Sequence, residues 1–406
     1  MKAERNFPKC IITKKGTAWT DSGHPWIYEG EVIHSDECEN GALIDAVSEN
    51  GKYIGTGFFS PCSKIRVRLV SRNANDRFDE AFWERRVRYA LEYRKTVMGS
   101  DISCCRIIFG ESDGFPGLTV DRFSDVLVAQ ALSAGIERIK PVLYPAILKI
   151  LREDFPEIRG IYERNDVKIR DLEGLEQYKG WFGSVPENAC TETVIFENGI
   201  RYKVDFENGQ KTGFFLDQKY NRLAASKIAR GKTVLDCFTH TGSFALNAAY
   251  AGAKHVTAVD ISESAVSCAK ENAELNGLSE KIDFQVTDVF DLLSDLEAKH
   301  SHEYDFIILD PPAFTKSRKT VSSAEKGYKE INYRAMKLLP RGGYLATCSC
   351  SHFMPQELFI KMLKSASKDA GVELKQIEVL QQGPDHPILW NVPETDYLKF
   401  FIFQII

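Results

Sequence analysis

The sequence predicts an α/β protein whose last half is a parallel sheet with helices on both faces, preceded by a small all-β module and a central α+β segment. Three observations carry that reading. From Val234 onward, short apolar runs (Val234–Phe238, Val256–Ile261, Asp283–Thr287, Phe306–Leu309 and Tyr344–Thr347) alternate with helical stretches, and strands alternating with helices build parallel sheets covered on both faces. Between Gly23 and about Arg72, apolar runs are instead broken by Gly, Pro, Asn and Asp, the pattern of a compact all-β module. At 406 residues the chain exceeds what one hydrophobic core usually serves. The expected domains are residues 1–73, 74–190 and 191–406.

Composition narrows the function classes. Hydrophobic residues at 43% and charged residues at 27% are ordinary for a globular protein and exclude a disordered chain. A net charge of −5 excludes bulk coating of nucleic acid but leaves room for a local basic patch. The ten cysteines contain no C-x-x-C pair, so they read as reduced, mostly buried thiols rather than a disulfide framework or metal site. Near the start, Cys10-Ile11-Ile12 is too short an apolar run for a signal core or membrane span. A cytoplasmic protein without membrane contact is expected, with its oligomeric state left open.

Within the first module, Lys64-Ile65-Arg66-Val67-Arg68-Leu69 alternates basic and apolar residues. A period of two puts Lys64, Arg66 and Arg68 together on the outer face, as a phosphate-facing strip or as a solvated face. Residues 78–98 read as a linking helix with Asn75 and Asp76 as cap candidates. Leu118–Phe123 and Val126–Leu132 form a hairpin around Ser124-Asp125, followed by a helix over 139–151 and a strand over 158–163. Thr193–Phe196 and Ile200–Phe206 flank Asn198-Gly199, the pair that best tolerates a type I′ turn. In the last domain Ser262 caps a helix, Glu263 sits in its first turn and Asn276-Gly277 ends it. The apolar stretch from Tyr397 to Ile406 reads as a buried strand.

Ligands of such sheets bind beyond the carboxyl ends of the strands, which directs attention to Asp236-Cys237-Phe238-Thr239-His240-Thr241-Gly242-Ser243. This turn lacks G-x-G-x-x-G. With a single Gly242 and an acid at the strand end, it suits a cationic, amino-acid-bearing ligand better than a pyrophosphate, and Asp236, Phe238, Thr239, Thr241 and Gly242 are its candidate contacts. Asp260, 24 residues after Asp236, is placed for ribose hydroxyls. Asp288 ends the third strand, where an adenine amino group would lie. Singly, such acids are usually caps or loop anchors; three in register point to one ligand. Gly209-Gln210-Lys211-Thr212-Gly213 is not a P-loop, because its Lys is not preceded by Gly and no strand leads into it.

The succession Val234-Leu235-Asp236, Ala258-Val259-Asp260, Val286-Thr287-Asp288 and Leu309-Asp310-Pro311-Pro312 resembles the motifs of class I S-adenosylmethionine methyltransferases. Further motifs narrow the resemblance: Gly213-Phe214-Phe215-Leu216-Asp217-Gln218 with Asn221-Arg222, Asp310-Pro311-Pro312-Ala313-Phe314, Ser349-Cys350-Ser351 and Asp385-His386-Pro387. Together they are similar to the family of large-subunit ribosomal RNA cytosine-C5 methyltransferases, over nearly the whole chain. That resemblance implies a Rossmann-like class I methyltransferase domain, an N-terminal PUA-like RNA-binding domain entered near Gly23-His24-Pro25-Trp26, and a central domain around Gly114–Arg122. It implies S-adenosylmethionine as cofactor, Gln218 and Arg222 as further cofactor-site residues, and large-subunit ribosomal RNA as partner.

Methylating C5 of cytosine requires prior addition at C6, a task suited to a thiolate. Thr347-Cys348-Ser349-Cys350-Ser351 offers two cysteines that strand alternation cannot separate. The family resemblance favours Cys350, whereas similarity to other pyrimidine-C5 enzymes with Thr-Cys-Ser would favour Cys348. Asp310 is expected either to contact the base edge near N3 and the exocyclic amine or to serve as a turn residue before two prolines, and Phe314 offers a stacking surface for a flipped base. Lys316, Arg318 and Lys319 follow as phosphate contacts or as a solvated loop. Two other classes stay open: an RNA exocyclic-amine N-methyltransferase, and a noncatalytic RNA-binding assembly factor.

Overall fold

The computed structural model describes residues 5–315 and 317–406, apart from the Arg318 side chain. The chain divides into two units. The first runs to Ile195 and takes in Val204–Leu216 and Pro384–Thr395; the second comprises Phe196–Lys203, Asp217–Gly383 and Asp396–Ile406. Among the described residues no helix is long and apolar enough to cross a membrane.

The first unit contains a six-stranded and a five-stranded sheet. The six-stranded sheet begins at Lys9–Ile12, ahead of the expected start at Gly23, and is joined by a helix, Lys14–Asp21, capped by Thr13. Val67 and Leu69 of the strand Ile65–Ser71 point into a core with Cys10, Ile12, Ile27 and Ile44, as the period of two requires. Its basic face is not open as expected. Lys64 is exposed, but Arg66 donates to the Ser60 carbonyl and to Glu29, both at 2.9 Å. Arg68 is 13% exposed, over the Trp26 ring, and pairs with Glu173 at 3.0 Å and Glu111 at 3.5 Å. Acids distant in sequence neutralise both arginines, which alternation along one strand does not register.

The five-stranded sheet carries the expected hairpin, Leu118–Phe123 with Val126–Ala131, turning through Ser124 at φ 55°. The linking helix is Glu80–Met98, and its cap is Asp79, whose carboxylate accepts from the Phe82 N–H at 3.0 Å; the expected cap Asp76 instead accepts from the Ser71 hydroxyl. The later helix is longer than expected, Ala134–Asp154, and contains both Pro141 and Pro145. The hairpin of Glu192–Glu197 and Ile200–Asp205 turns at Asn198 and Gly199 with φ of 54° and 86°, the positive pair of a type I′ turn.

The second unit is built on seven strands: β1 Thr233–Cys237, β2 His255–Asp260, β3 Ile282–Val286, β4 Phe306–Leu309, β5 Tyr344–Ser349, β6 Leu374–Leu380 and β7 Lys399–Ile405. Their order is β3-β2-β1-β4-β5-β7-β6. Strands β1 to β5 are mutually parallel where they pair, and β7 runs antiparallel to both β5 and β6. The dinucleotide-binding order 3-2-1-4-5-6 is thus extended by an antiparallel strand inserted between the last two. Leu235, Cys237, Val259, Ile307, Leu309, Leu345, Phe401, Phe403 and Ile405 supply the sheet's share of one continuous core, which is why β1, β4 and β7 read as apolar runs. Edge strand β6 carries no clear strand signal in the sequence because all of it is exposed or half-buried and its apolar residues are interrupted by Lys375, Gln376 and Glu378. The helix Glu263–Leu275 is capped by Ser262 and ends at Asn276, with Gly277 at φ 64°.

In this unit the helix Lys219–Ala229 is pinned by Arg222, whose guanidinium makes a bidentate pair with Glu197 at 2.7 and 2.9 Å. Exposure of the two residues is 1% and 0%. Removing one member of such a pair leaves a bare buried charge, a loss of about 3–5 kcal/mol, whereas replacing both by apolar groups is often neutral. Arg222→Met is therefore expected to lower the urea midpoint followed by circular dichroism, and adding Glu197→Leu to restore most of it. Equal midpoints for Arg222→Met and the parent would refute this.

Candidate active site

The turn between β1 and the helix Ser243–Tyr250 is wound tightly. Phe238, His240 and Gly242 have φ of 65°, 49° and 80°. The two non-glycine residues store strain of about 1–3 kcal/mol each, which persists where the surroundings hold it and marks functional turns. A Cβ at position 242 would lie 2.9 Å from Ala269 Cβ, so glycine is required there. Asp236 anchors the turn: one carboxylate oxygen accepts from Thr239 Oγ1 at 2.5 Å and the Ala245 N–H at 2.9 Å. Its other oxygen is buried without a hydrogen-bond partner among the described residues. Burial pushes this carboxyl up to about 7, with the charges of Asp310 and Asp260 adding and the Thr239 and Ala245 bonds opposing. An unanswered carboxylate oxygen beneath a strained turn fits a cationic ligand group. Thr241 stands half-buried in the same turn, its carbonyl accepting from Asn272 at 3.2 Å.

Asp260 closes β2 and braces the turn from the side, accepting from the His240 and Ser262 N–H groups, each at 2.9 Å. Asp288 follows β3 and caps the helix Val289–Ala298, one carboxylate oxygen accepting from Phe290 N–H at 2.7 Å and Asp291 N–H at 3.4 Å. Both acids therefore also serve as loop anchor and cap. Ile261, predicted only as the end of a strand, is 68% exposed directly after Asp260. A large apolar side chain left in water beside strand-end acids suits the face of a ligand's aromatic ring. Its only sequence signal is its place after the acid.

At the ends of β4 and β5 a second cluster forms. The Cys348 thiol donates to Asp310 Oδ1 at 2.8 Å, and the Gln218 amide donates to the same oxygen at 3.0 Å. Asn221 donates to Gln218 Oε1 at 2.6 Å, fixing which way that amide faces. Gln218 thus joins Asp310 rather than the strained turn, and Arg222 is engaged by Glu197. Burial pushes the Asp310 carboxyl up to about 6, helped by the charge of Asp217 and opposed by Cys348, Arg222 and Gln218. Burial, then the Asp310 charge, drives the Cys348 thiol well above its ordinary value.

Cys350 lies just past β5 and is half-buried, whereas Cys348 is 0% exposed. The segment around Cys350 is fastened on several sides: Ser349 Oγ donates to Tyr328 Oη at 3.0 Å, and Ser351 Oγ donates to the Thr315 carbonyl at 2.9 Å. The second bond ties it to the Asp310–Thr315 loop. In that loop Phe314 is half-buried, its centroid 4.6 Å from Tyr328, 5.9 Å from Phe290 and 6.5 Å from Phe238. Lys316 and the Arg318 side chain lie outside the described residues, and Lys319 is exposed. Among the described residues no group of His, Cys, Asp and Glu could hold a metal ion.

A family model described as S-adenosylmethionine-dependent methyltransferase matches residues 179–404, more than half of the chain. The chain belongs to that family. S-adenosylmethionine is its cofactor, in keeping with the unanswered Asp236 oxygen, and a PUA-like domain model matches residues 11–72. The chain is 39% identical over 403 residues to the Ribosomal RNA large subunit methyltransferase I of Klebsiella pneumoniae (strain 342), covering 98% of each. It is 42% identical over 388 residues to the protein of the same name from Pseudoalteromonas translucida, covering 94% of this chain and 95% of that one. Among solved structures, a putative SAM-dependent methyltransferase from Streptococcus mutans shares the fold, with a TM-score of 0.81 at 23% identity over 98% of this chain and 99% of that chain.

Two outcomes are expected. Asp236 and Asp310 hold protons more tightly folded than unfolded, so their stabilising contribution is complete below about pH 4. It is lost as the pH rises through about 6 for Asp310 and about 7 for Asp236. Asp236→Asn, which removes the charge, should therefore show a smaller drop in melting temperature between about pH 6 and about pH 8 than the cofactor-free parent; equal drops would contradict the assignment. Asp260→Ala should weaken S-adenosylmethionine binding by roughly 1.5–3 kcal/mol for each ribose hydrogen bond lost. Calorimetry giving an unchanged affinity for the folded variant would remove Asp260 from the site.

Proposed function

We propose that this methyltransferase transfers a methyl group to C5 of a cytosine in large-subunit ribosomal RNA, with Cys350 as nucleophile. The observation that carries the choice of residue is the contrast between a fully buried Cys348, its thiol donated to Asp310, and a half-buried Cys350 in a segment tied to the Asp310 loop. Addition to a base needs a sulfur the base can reach. The names of the relatives support ribosomal RNA as substrate, and the PUA-like segment supports an RNA-docking role for the N-terminal domain. There Lys64 is the exposed member of the basic strand; Arg66 and Arg68 would reach phosphate only by leaving their acid partners. We retain residues 1–73, 74–190 and 191–406 as the domain division. The exposed cysteines Cys62 and Cys190 support a reducing, cytoplasmic setting.

In this reading the Cys350 thiolate adds to C6, and the ring electrons shift through C5 and C4 to N3, which takes a proton. Asp310, with its carboxyl raised to about 6, holds that proton at N3 and accepts from the exocyclic amine. Phe314 offers the base a face once it has left its stack. When bound, S-adenosylmethionine supplies an electrophilic methyl to C5. H5 then departs as a proton to solvent, the electrons of the S–C6 bond return to the Cys350 sulfur, C5=C6 is restored, and N3 gives its proton back to Asp310. Asp236, Thr239, Thr241, Gly242, Asp260, Ile261 and Asp288 would hold the cofactor.

RNA carrying 5-fluorocytosine at the target tests the chemistry, because fluorine cannot leave as a proton does. With S-adenosylmethionine present, an adduct surviving denaturing electrophoresis should map to Cys350. Cys350→Ala should abolish both adduct and turnover, and Cys348→Ala should keep the adduct. Attachment at Cys348 would overturn the residue and preserve the mechanism. Efficient methylation without an adduct on either cysteine would move the reading to exocyclic-amine methylation, and absence of S-adenosylmethionine-dependent methylation of ribosomal RNA to an assembly factor.

A further inference from the structure

Lys399 opens β7 opposite Ser349, the last residue of β5. Although a lysine, it is 4% exposed. Its ammonium donates to the Ser351 carbonyl at 2.6 Å and to the Tyr397 carbonyl at 2.8 Å. An ammonium has three N–H bonds, so two neutral acceptors leave one unaccounted for, and among the described residues no carboxylate forms an ion pair with it. Burying a cation without a hydrogen-bonded counter-charge is costly. Packing alone does not explain its retention, since an apolar residue would fill the start of a core strand without that penalty.

We infer that Lys399 is a positioning residue that holds Cys350 as a thiolate. The inference rests on the reading of Cys350 as nucleophile and adds the group that activates it. Through the Ser351 carbonyl the ammonium is tied to the residue next to Cys350, while Ser349 Oγ on Tyr328 and Ser351 Oγ on Thr315 keep the segment from shifting. The thiol proton is released to solvent, the ammonium keeps its own, and the sulfur joins Asp396 in offsetting the buried charge. The groups acting on Lys399 are consistent with this pairing: burial lowers it to about 8, opposed by the charges of Asp396, Cys350 and Cys348. Of the two thiols, Cys350 is the one next to the Ser351 carbonyl that the ammonium contacts, and Cys348 is donated to Asp310.

The test needs no RNA. The full-length protein is alkylated with iodoacetamide across a pH series, and labelling of each cysteine is followed by peptide mass mapping, with exposed Cys62 as internal reference. In the parent, Cys350 should label with a midpoint below that of Cys62. Lys399→Met, similar in length but neutral, should move the Cys350 midpoint up by roughly one pH unit or more and leave Cys62 in place. Lys399→Arg should keep it near the parent value. A Cys350 midpoint unchanged in folded Lys399→Met overturns the inference. If neither variant folds, the parent decides: a Cys350 midpoint at or above that of Cys62 is equally fatal. A lowered midpoint without any 5-fluorocytosine adduct would sink the C5 mechanism alone, and an adduct at Cys350 with an unshifted midpoint would sink the lysine's role alone.

Discussion

The parallel hydrogen-bond ladder joining β1 to β2 and β4, and these to β3 and β5, is the constraint on which the site depends. Parallel strands deliver all their carboxyl ends to one edge of the sheet, so residues scattered over more than a hundred positions of chain are gathered there. Asp236, Asp260, Asp288 and Asp310 each stand within two residues of the end of a strand in that ladder. The apolar interiors of β1 and β4 make the arrangement stable, and their burial makes the carboxyls at their ends unusual. Desolvation is the largest influence on both Asp236 and Asp310.

The two halves of that edge are organised by different physics. On the β1 and β2 side, backbone amides do the organising: Asp260 accepts from His240 and Ser262, Asp236 accepts from Ala245, and the turn between them is bent through left-handed residues. One oxygen of the Asp236 carboxyl is left buried without a hydrogen-bond partner among the described residues. On the β4 and β5 side the organising groups are side chains, in a relay from Asn221 through Gln218 to Asp310 and Cys348. Such a relay fixes which atoms donate and which accept.

The antiparallel strand β7 completes the second half. Because it pairs with β5 along Tyr344–Ser349, its first residue arrives where β5 gives way to the Cys350 segment. A lysine placed there is buried by the same packing that buries Phe400 and Phe401. Its charge is then felt more strongly by neighbouring thiols than it would be in water.

The sequence by itself determined the local geometry. Alternation of apolar runs with helices fixed β1 to β5 to within a residue or two, Asn198-Gly199 set the hairpin turn, and Ser262 set a helix cap. These features depend on backbone periods and turn conformations, which are properties of short segments. The tertiary structure alone decided partners and exposure. It closed Glu29, Glu111 and Glu173 over Arg66 and Arg68, turned Gln218 toward Asp310, committed Arg222 to Glu197, and separated Cys348 from Cys350 by burial. It also set Lys399 beside the β5 end. Charge pairing and desolvation depend on what lies across space from a side chain, and no period along one strand carries that information.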